Sequence, residues 1–237
     1  MKTTLSPIAV YSNCISKTLY CLLLTIVATA GHSQSLCFDP ANDFRYHTYN
    51  NCTDVSALDV NNDGHLDVVA AGGGPLSIHI GNGDGTFIPY FTTTFSVPSD
   101  IESIDFDNDG DLDLYCWGNG SCIAVRNEGD GTFTLAGSMS TEVTASSDTQ
   151  FALGDVTGNG ISDIIVPDPD NDKLVVIETD LLGIPQSSFM LPVIDAPTNV
   201  QCGDLNNDGI EDLVVASNSG DDMGIYYGEG GDSFTAI

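Results

Sequence analysis

Four nine-residue segments place oxygen-bearing side chains at one fixed spacing. They are Asp59-Val-Asn-Asn-Asp-Gly-His-Leu-Asp67, Asp105-Phe-Asp-Asn-Asp-Gly-Asp-Leu-Asp113, Asp155-Val-Thr-Gly-Asn-Gly-Ile-Ser-Asp163 and Asp204-Leu-Asn-Asn-Asp-Gly-Ile-Glu-Asp212. Positions one, three, five and nine can converge on one point. The side chains so placed are Asp59, Asn61, Asp63 and Asp67; Asp105, Asp107, Asp109 and Asp113; Asp155, Thr157, Asn159 and Asp163; and Asp204, Asn206, Asp208 and Asp212. The backbone carbonyl of position seven (His65, Asp111, Ile161 or Ile210) adds a further ligand. Glycine at position six permits the sharp turn. Hard oxygen ligands in irregular geometry suit Ca²⁺; Mg²⁺ demands a stricter octahedron and keeps its waters. Zinc would want His or Cys side chains, which these four positions lack.

Turn chemistry alone favours Asp, Asn and Gly. Four copies with Asp at positions one and nine each time go beyond what a turn requires. Without a cation, clustered carboxylates repel and raise one another's pKa values. An EF-hand is excluded, because position twelve is Ala70, Cys116, Val166 or Val215 rather than a bidentate acid leading into a helix. Up to four calcium sites are expected, one per loop. The second, with four acids, should bind most tightly, and the third, with Asp155 and Asp163 alone, most weakly.

The loops start at residues 59, 105, 155 and 204, so successive copies lie 46, 50 and 49 residues apart. A period in this range fits four-stranded propeller blades. Alternating stretches precede each loop (Val55-x-Ala57, Ile101-x-Ser103, Phe151-x-Leu153, Val200-x-Cys202), and apolar pairs follow it (Val68-Val69, Leu114-Tyr115, Ile164-Ile165, Leu213-Val214). These read as strands. Third strands are expected at Ser77–Ile80, Ile123–Val125, Leu174–Ile177 and Ile225–Tyr227, and three units continue into a glycine turn ending in Phe87, Phe133 or Phe234. No stretch has a convincing amphipathic helical period. The fold class is all-β, a propeller whose blades bury their faces against one another.

These residues resemble FG-GAP/VCBS repeats, known from the calcium-binding blades of integrin alpha-chain propellers and from many secreted bacterial proteins. Ala57–Val69 followed by Gly81-Asn-Gly-Asp-Gly-Thr-Phe87 resembles one complete VCBS unit, while Phe151-Ala-Leu-Gly-Asp155 is closer to the FG-GAP form. The resemblance covers residues 53–237 and implies a β-propeller with calcium between the first two strands of each blade. Family propellers usually hold more than four blades. Either residues 43–49, which alternate like a strand, close a four-bladed ring as the outer strand of the last blade, or the chain is an incomplete or truncated larger propeller.

The chain has 5 Lys and Arg against 34 Asp and Glu, a formal net charge of −29. That balance argues against nucleic acid and anionic membrane surfaces as partners. Residues 1–30 carry two lysines and no acid, an apolar run at Leu19–Val27, and Ala28-Thr-Ala30, which read together as a cleaved secretory signal. Residues 31–52 form an N-terminal segment and 53–237 the repeats. The product should be secreted, extracellular, periplasmic or cell-surface, without membrane insertion after cleavage. Export permits disulfides. Cys116 and Cys122 flank a hairpin turn and could close it, leaving Cys37 to pair with Cys52, although other pairings remain open. Cys202 reads as a small buried thiol.

No nucleophile or metalloprotease motif occurs, so the expected role is a non-enzymatic binding or adhesion module for extracellular protein or glycan. The alternatives are the propeller portion of an exported polysaccharide lyase or hydrolase, and a lectin, for which Trp117 is the sole Trp available as a stacking platform.

Overall fold

A computed structural model describes residues 46–48, 52–88, 91–97, 100–143, 150–219 and 222–237. They lie in one compact unit, Arg45–Ile237. The expected signal segment, Cys37 and most of 31–52 fall outside the described residues.

The period of the sequence is realised as four antiparallel sheets of four strands each. Blade 1 comprises β1 (Asp54–Leu58), β2 (Asp67–Ala71), β3 (Pro75–His79) and β4 (Phe91–Ser96). Blade 2 comprises β5 (Asp100–Ile104), β6 (Asp113–Gly118), β7 (Ser121–Asn127) and β8 (Phe133–Ser140). Blade 3 holds β9 (Ala152–Gly154), β10 (Asp163–Asp168), β11 (Lys173–Thr179) and β12 (Pro185–Pro192). Blade 4 holds β13 (Pro197–Gly203), β14 (Asp212–Ser217), β15 (Met223–Gly228) and β16 (Phe234–Ala236). Each sheet is a simple meander, so each Asp loop joins the first strand to the second and emerges at the same end of its blade. No helix occurs among the described residues, and none could therefore cross a membrane.

Consecutive blades stack face to face, and strand pleating divides each strand's apolar side chains between two neighbours. In β6, Leu114 and Cys116 pack towards blade 1, while Tyr115 and Trp117 pack towards blade 3. In β10 and β11, Ile164, Val166, Val175 and Ile177 face blade 2, whereas Ile165, Leu174 and Val176 face blade 4. Sheets buried on both faces need continuous rather than alternating hydrophobicity. The runs Asp-Ile-Ile-Val and Leu-Val-Val-Ile supply it. Three core clusters result, at the joints 1/2, 2/3 and 3/4. Among the described residues no core cluster joins blade 4 to blade 1, and the blades form an open propeller arc.

Two expectations are corrected here. The outer strand of blade 4 is β16, paired to β15 by Tyr226 with Ala236 and Gly228 with Phe234. Residues 46–48 form no strand. Tyr46 instead lies against blade 1, its ring edge-on to Phe87 and His79, and its hydroxyl accepts the Phe87 amide at 3.3 Å. Residues 43–45 and 49 lie outside the described residues. The second correction concerns the hairpin disulfide. Cys116 pairs in register with Ile123, and Cys122 pairs with Trp117. This one-residue offset puts the two thiols on opposite faces of the sheet, Cys116 in the 1/2 core and Cys122 in the 2/3 core. Both are free, as are Cys52 and Cys202. Burial pushes the Cys122 thiol up to about 12 and that of Cys116 well above its ordinary value. Cys202 packs against the 3/4 core, where burial first, then Glu211 and Asp163, push it up to about 12.

Candidate metal centre

Each loop is wound by left-handed backbone at two positions. The sixth residue is always glycine (Gly64, Gly110, Gly160, Gly209; φ 85 to 101°), and the fourth is Asn62, Asn108, Gly158 or Asn207 (φ 58, 59, 71 and 63°). Glycine and, next to it, asparagine tolerate this region best. The fourth position is thus constrained as well as the sixth, which the spacing of the acids does not disclose.

The first aspartate anchors the turn. Asp59 accepts the amides of Asp63 (3.1 Å) and Gly64 (2.8 Å). Asp204 does the same for Asp208 and Gly209, and Asp155 for Asn159 and Gly160. The ninth aspartate anchors the loop to its blade. Both oxygens of the buried Asp67 accept amides, from Val60 (2.8 Å) and Gly81 (2.7 Å). Asp113 holds Phe106 (3.2 Å) and Asn127 (2.8 Å), and Asp212 holds Leu205 (2.8 Å) and Gly228 (2.9 Å). In the third loop Asp163 accepts the Thr157 amide at 3.1 Å. Burial pushes Asp113 and Asp163 up to about 6, against the opposing pull of these hydrogen bonds. The ninth position therefore has a structural duty that does not depend on metal.

Loops one and four satisfy themselves. The Asn61 side-chain amide donates to Asp63 Oδ2 at 3.1 Å, and that of Asn206 donates to Asp208 Oδ2 at 2.9 Å. An amide N–H thus offsets part of the negative charge that a cation would otherwise meet. In loop three Asn159 accepts the Ile161 amide at 2.7 Å, and Thr157 is buried. Position seven lies on the same turn in each loop: the amides of His65, Asp111, Ile161 and Ile210 donate to the fifth side chain. Their carbonyls follow at the loop exit.

Loop two differs. Asp105, Asp107 and Asp109 bring one carboxylate oxygen each within 4.8 Å of one another, the one such acidic group among the described residues. Asp105 Oδ2 accepts the Gly110 amide at 3.1 Å, but its Oδ1 is buried without a hydrogen-bond partner. An orphaned anionic oxygen beside two further carboxylates fits a hard cation, so the donor set passes the test for calcium. One cation of the protein already stands there: Arg126 Nε lies 2.7 Å from Asp107 Oδ2. That partner comes from β7, nineteen residues beyond Asp107, and no local motif announces it.

Stacked four-stranded meanders with an Asp-rich loop after each first strand define the β-propeller class. More particularly, two segments of the chain, residues 59–104 and 105–166, match the model of the FG-GAP-like repeat. No curated protein matches the chain. Among solved structures it is similar to an Agrocybe aegerita lectin, described for specific recognition of non-reducing terminal N-acetylglucosamine. The identity is 22% and the TM-score 0.52, over 76% of this chain and 50% of that one. A chain of the Photorhabdus luminescens Tc holotoxin pore is similar at 21% identity and TM-score 0.44, over 84% of this chain and 10% of that one. The chain thus spans half the length of the lectin and a tenth of the toxin chain.

Proposed function

We propose that this protein is a secreted, calcium-braced binding module without enzymatic activity, recognising an extracellular protein or glycan. The observation that carries the reading is the Asp105–Asp107–Asp109 cluster with its partnerless buried oxygen, set in one of four like loops at the same end of the blades. Asp105, Asp107 and Asp109, with the Asp111 carbonyl and Asp113, would hold the ion in loop two. Bound calcium would supply positive charge where three carboxylates otherwise repel. The chain's own residues do the rest. Asp113 ties the loop to β7 through Asn127, Asp105 fixes the Gly110 turn, and Arg126 holds Asp107 in place. Equivalent, weaker sites would use Asp59, Asn61, Asp63 and Asp67, then Asp204, Asn206, Asp208 and Asp212, with the Asp155–Asp163 loop weakest.

The fold likeness to a lectin supports a glycan as ligand. Glycan-array binding with calcium and with chelator tests this. Calcium-dependent binding to a defined glycan class supports it, and binding to none directs the search to proteins.

A further inference from the structure

Position three of the Asp loops decides how each loop meets its own charge. In loops one and four it is Asn61 or Asn206, whose side-chain amide donates to the carboxylate of Asp63 or Asp208. In loop three it is Thr157, which brings no charge. Loop two alone has an acid there. Asp107 has no N–H to offer Asp109, and it adds a negative charge to a site that already holds Asp105 and Asp109.

The third strand answers that difference. In three blades its end meets the ninth aspartate at the same point, where Asp67, Asp113 and Asp212 hold the amides of Gly81, Asn127 and Gly228. The residue before that amide is Ile80 in blade 1, Tyr227 in blade 4 and Arg126 in blade 2. Of these three blades, the one with an acid at position three is the one with a cation here. The chain has few to place: of its 5 Lys and Arg, those among the described residues are Arg126 and Lys173. Arg126 Nε is buried 2.7 Å from Asp107 Oδ2, and the two side chains are 32 and 10% exposed, so solvent screens this pair less than a surface one. No hydrogen bond is aligned on that Nε. The contact is one of charge, which another cation can replace.

We infer, on the proposal that loop two holds calcium, that Arg126 is a tethered counter-ion of that site: it stands in for calcium at Asp107 when none is bound, and opposes calcium when it binds. Without the ion, the guanidinium offsets the repulsion among Asp105, Asp107 and Asp109, as the Asn amides do in loops one and four. With the ion, a fixed positive charge shares a carboxylate with a divalent one. Across the width of a carboxylate, in a water-like dielectric, that repulsion lowers affinity roughly tenfold. Loop two thus keeps its form when calcium is scarce and gives up part of the affinity that four acids confer.

The test compares the full chain with Arg126→Gln and Arg126→Lys in two assays. One is calorimetric calcium titration, read on the binding step that Asp105→Ala abolishes; the other is thermal unfolding in chelator and in calcium. Arg126→Gln should bind calcium roughly tenfold more tightly at that step. In chelator it should melt roughly 2–4 °C below the wild type, and in saturating calcium no lower than the wild type. Arg126→Lys, which keeps the charge on a flexible stem, should stay within about twofold of the wild-type affinity. Unchanged or weaker affinity in Arg126→Gln would overturn the inference and leave the calcium site standing. So would a melting temperature lowered alike in chelator and in calcium, the mark of a plain strut. If Asp105→Ala abolishes no step and neither Arg126 variant takes up calcium, the calcium reading itself falls and the role of Arg126 falls with it.

Discussion

Asp113 and Asp109 lie four residues apart in the same loop, yet removing them should have opposite signatures. Asp113 is fully buried and holds two buried amides, those of Phe106 and Asn127. Asp113→Ala strands both donors, at roughly 1–3 kcal/mol each. Removal also relieves the cost of burying the charge, the same cost that pushes this carboxyl up to about 6. The net loss should be about 2–4 kcal/mol, which for a unit of this size lowers the melting temperature by roughly 5–15 °C. Asp109 is exposed and accepts the exposed Asp111 amide, which water can satisfy instead. Asp109→Ala should change stability by no more than about 0.5 kcal/mol without calcium. Thermal unfolding in chelator, followed by circular dichroism, compares the two. If Asp113→Ala is as mild as Asp109→Ala in chelator and harmful only with calcium, the ninth aspartate is a metal ligand alone and the structural argument fails.

The other expectations concern charge, thiols and the core. Asp100, Asp113 and Asp163 all stand at about 6, raised above the unfolded value chiefly by burial, with Asp54 adding to the rise at Asp100. The folded chain therefore takes up protons first, and stability is lost as pH rises from about 4 through 6. In chelator the melting temperature should climb between pH 7 and 5, and a steady fall would refute this. Cys116 and Cys122 should resist thiol reagents in the folded protein, while Cys52, which is exposed, reacts; a Cys116–Cys122 cross-link in non-reducing peptide mapping would contradict the opposite-face placement. Trp117, 1% exposed in the core between blades 2 and 3, should cost about 3–5 kcal/mol on replacement by Ala in denaturant unfolding. A loss under about 1 kcal/mol would show that this joint does not hold the arc together.

The repeat made most of the architecture legible. The first-strand alternation and the apolar pairs land on the observed strands, save Phe151, which stands just ahead of β9, and Leu153 and Cys202 pair with Ile164 and Leu213 just as Ala57 pairs with Val68. The acid-rich second loop is also the one whose carboxylates cluster. Spacing could not show features that arise across the sheet. One amide partner of Asp67, Asp113 and Asp212 comes from the end of the third strand or just beyond it, fourteen residues on in Asp67 and Asp113. Arg126 reaches Asp107 from another strand. The Cys116–Cys122 pairing failed on parity: the register of a hairpin decides which face a side chain takes, and the flanking turn does not reveal it. Tyr46 sits on a strand-like pattern but contributes its ring to blade 1. Alternation alone cannot separate a strand from a single aromatic anchor.

Calcium uptake by the purified chain, measured by titration calorimetry beside its Asp105→Ala and Asp155→Ala variants, tests the central claim most directly. The wild type should take up calcium, with its tightest site lost in Asp105→Ala and retained in Asp155→Ala. A ligand at a hundredfold excess over its dissociation constant should stabilise the fold by about 2.7 kcal/mol. No uptake at millimolar calcium, or the same isotherm for all three proteins, would contradict the reading of the aspartate loops as calcium sites.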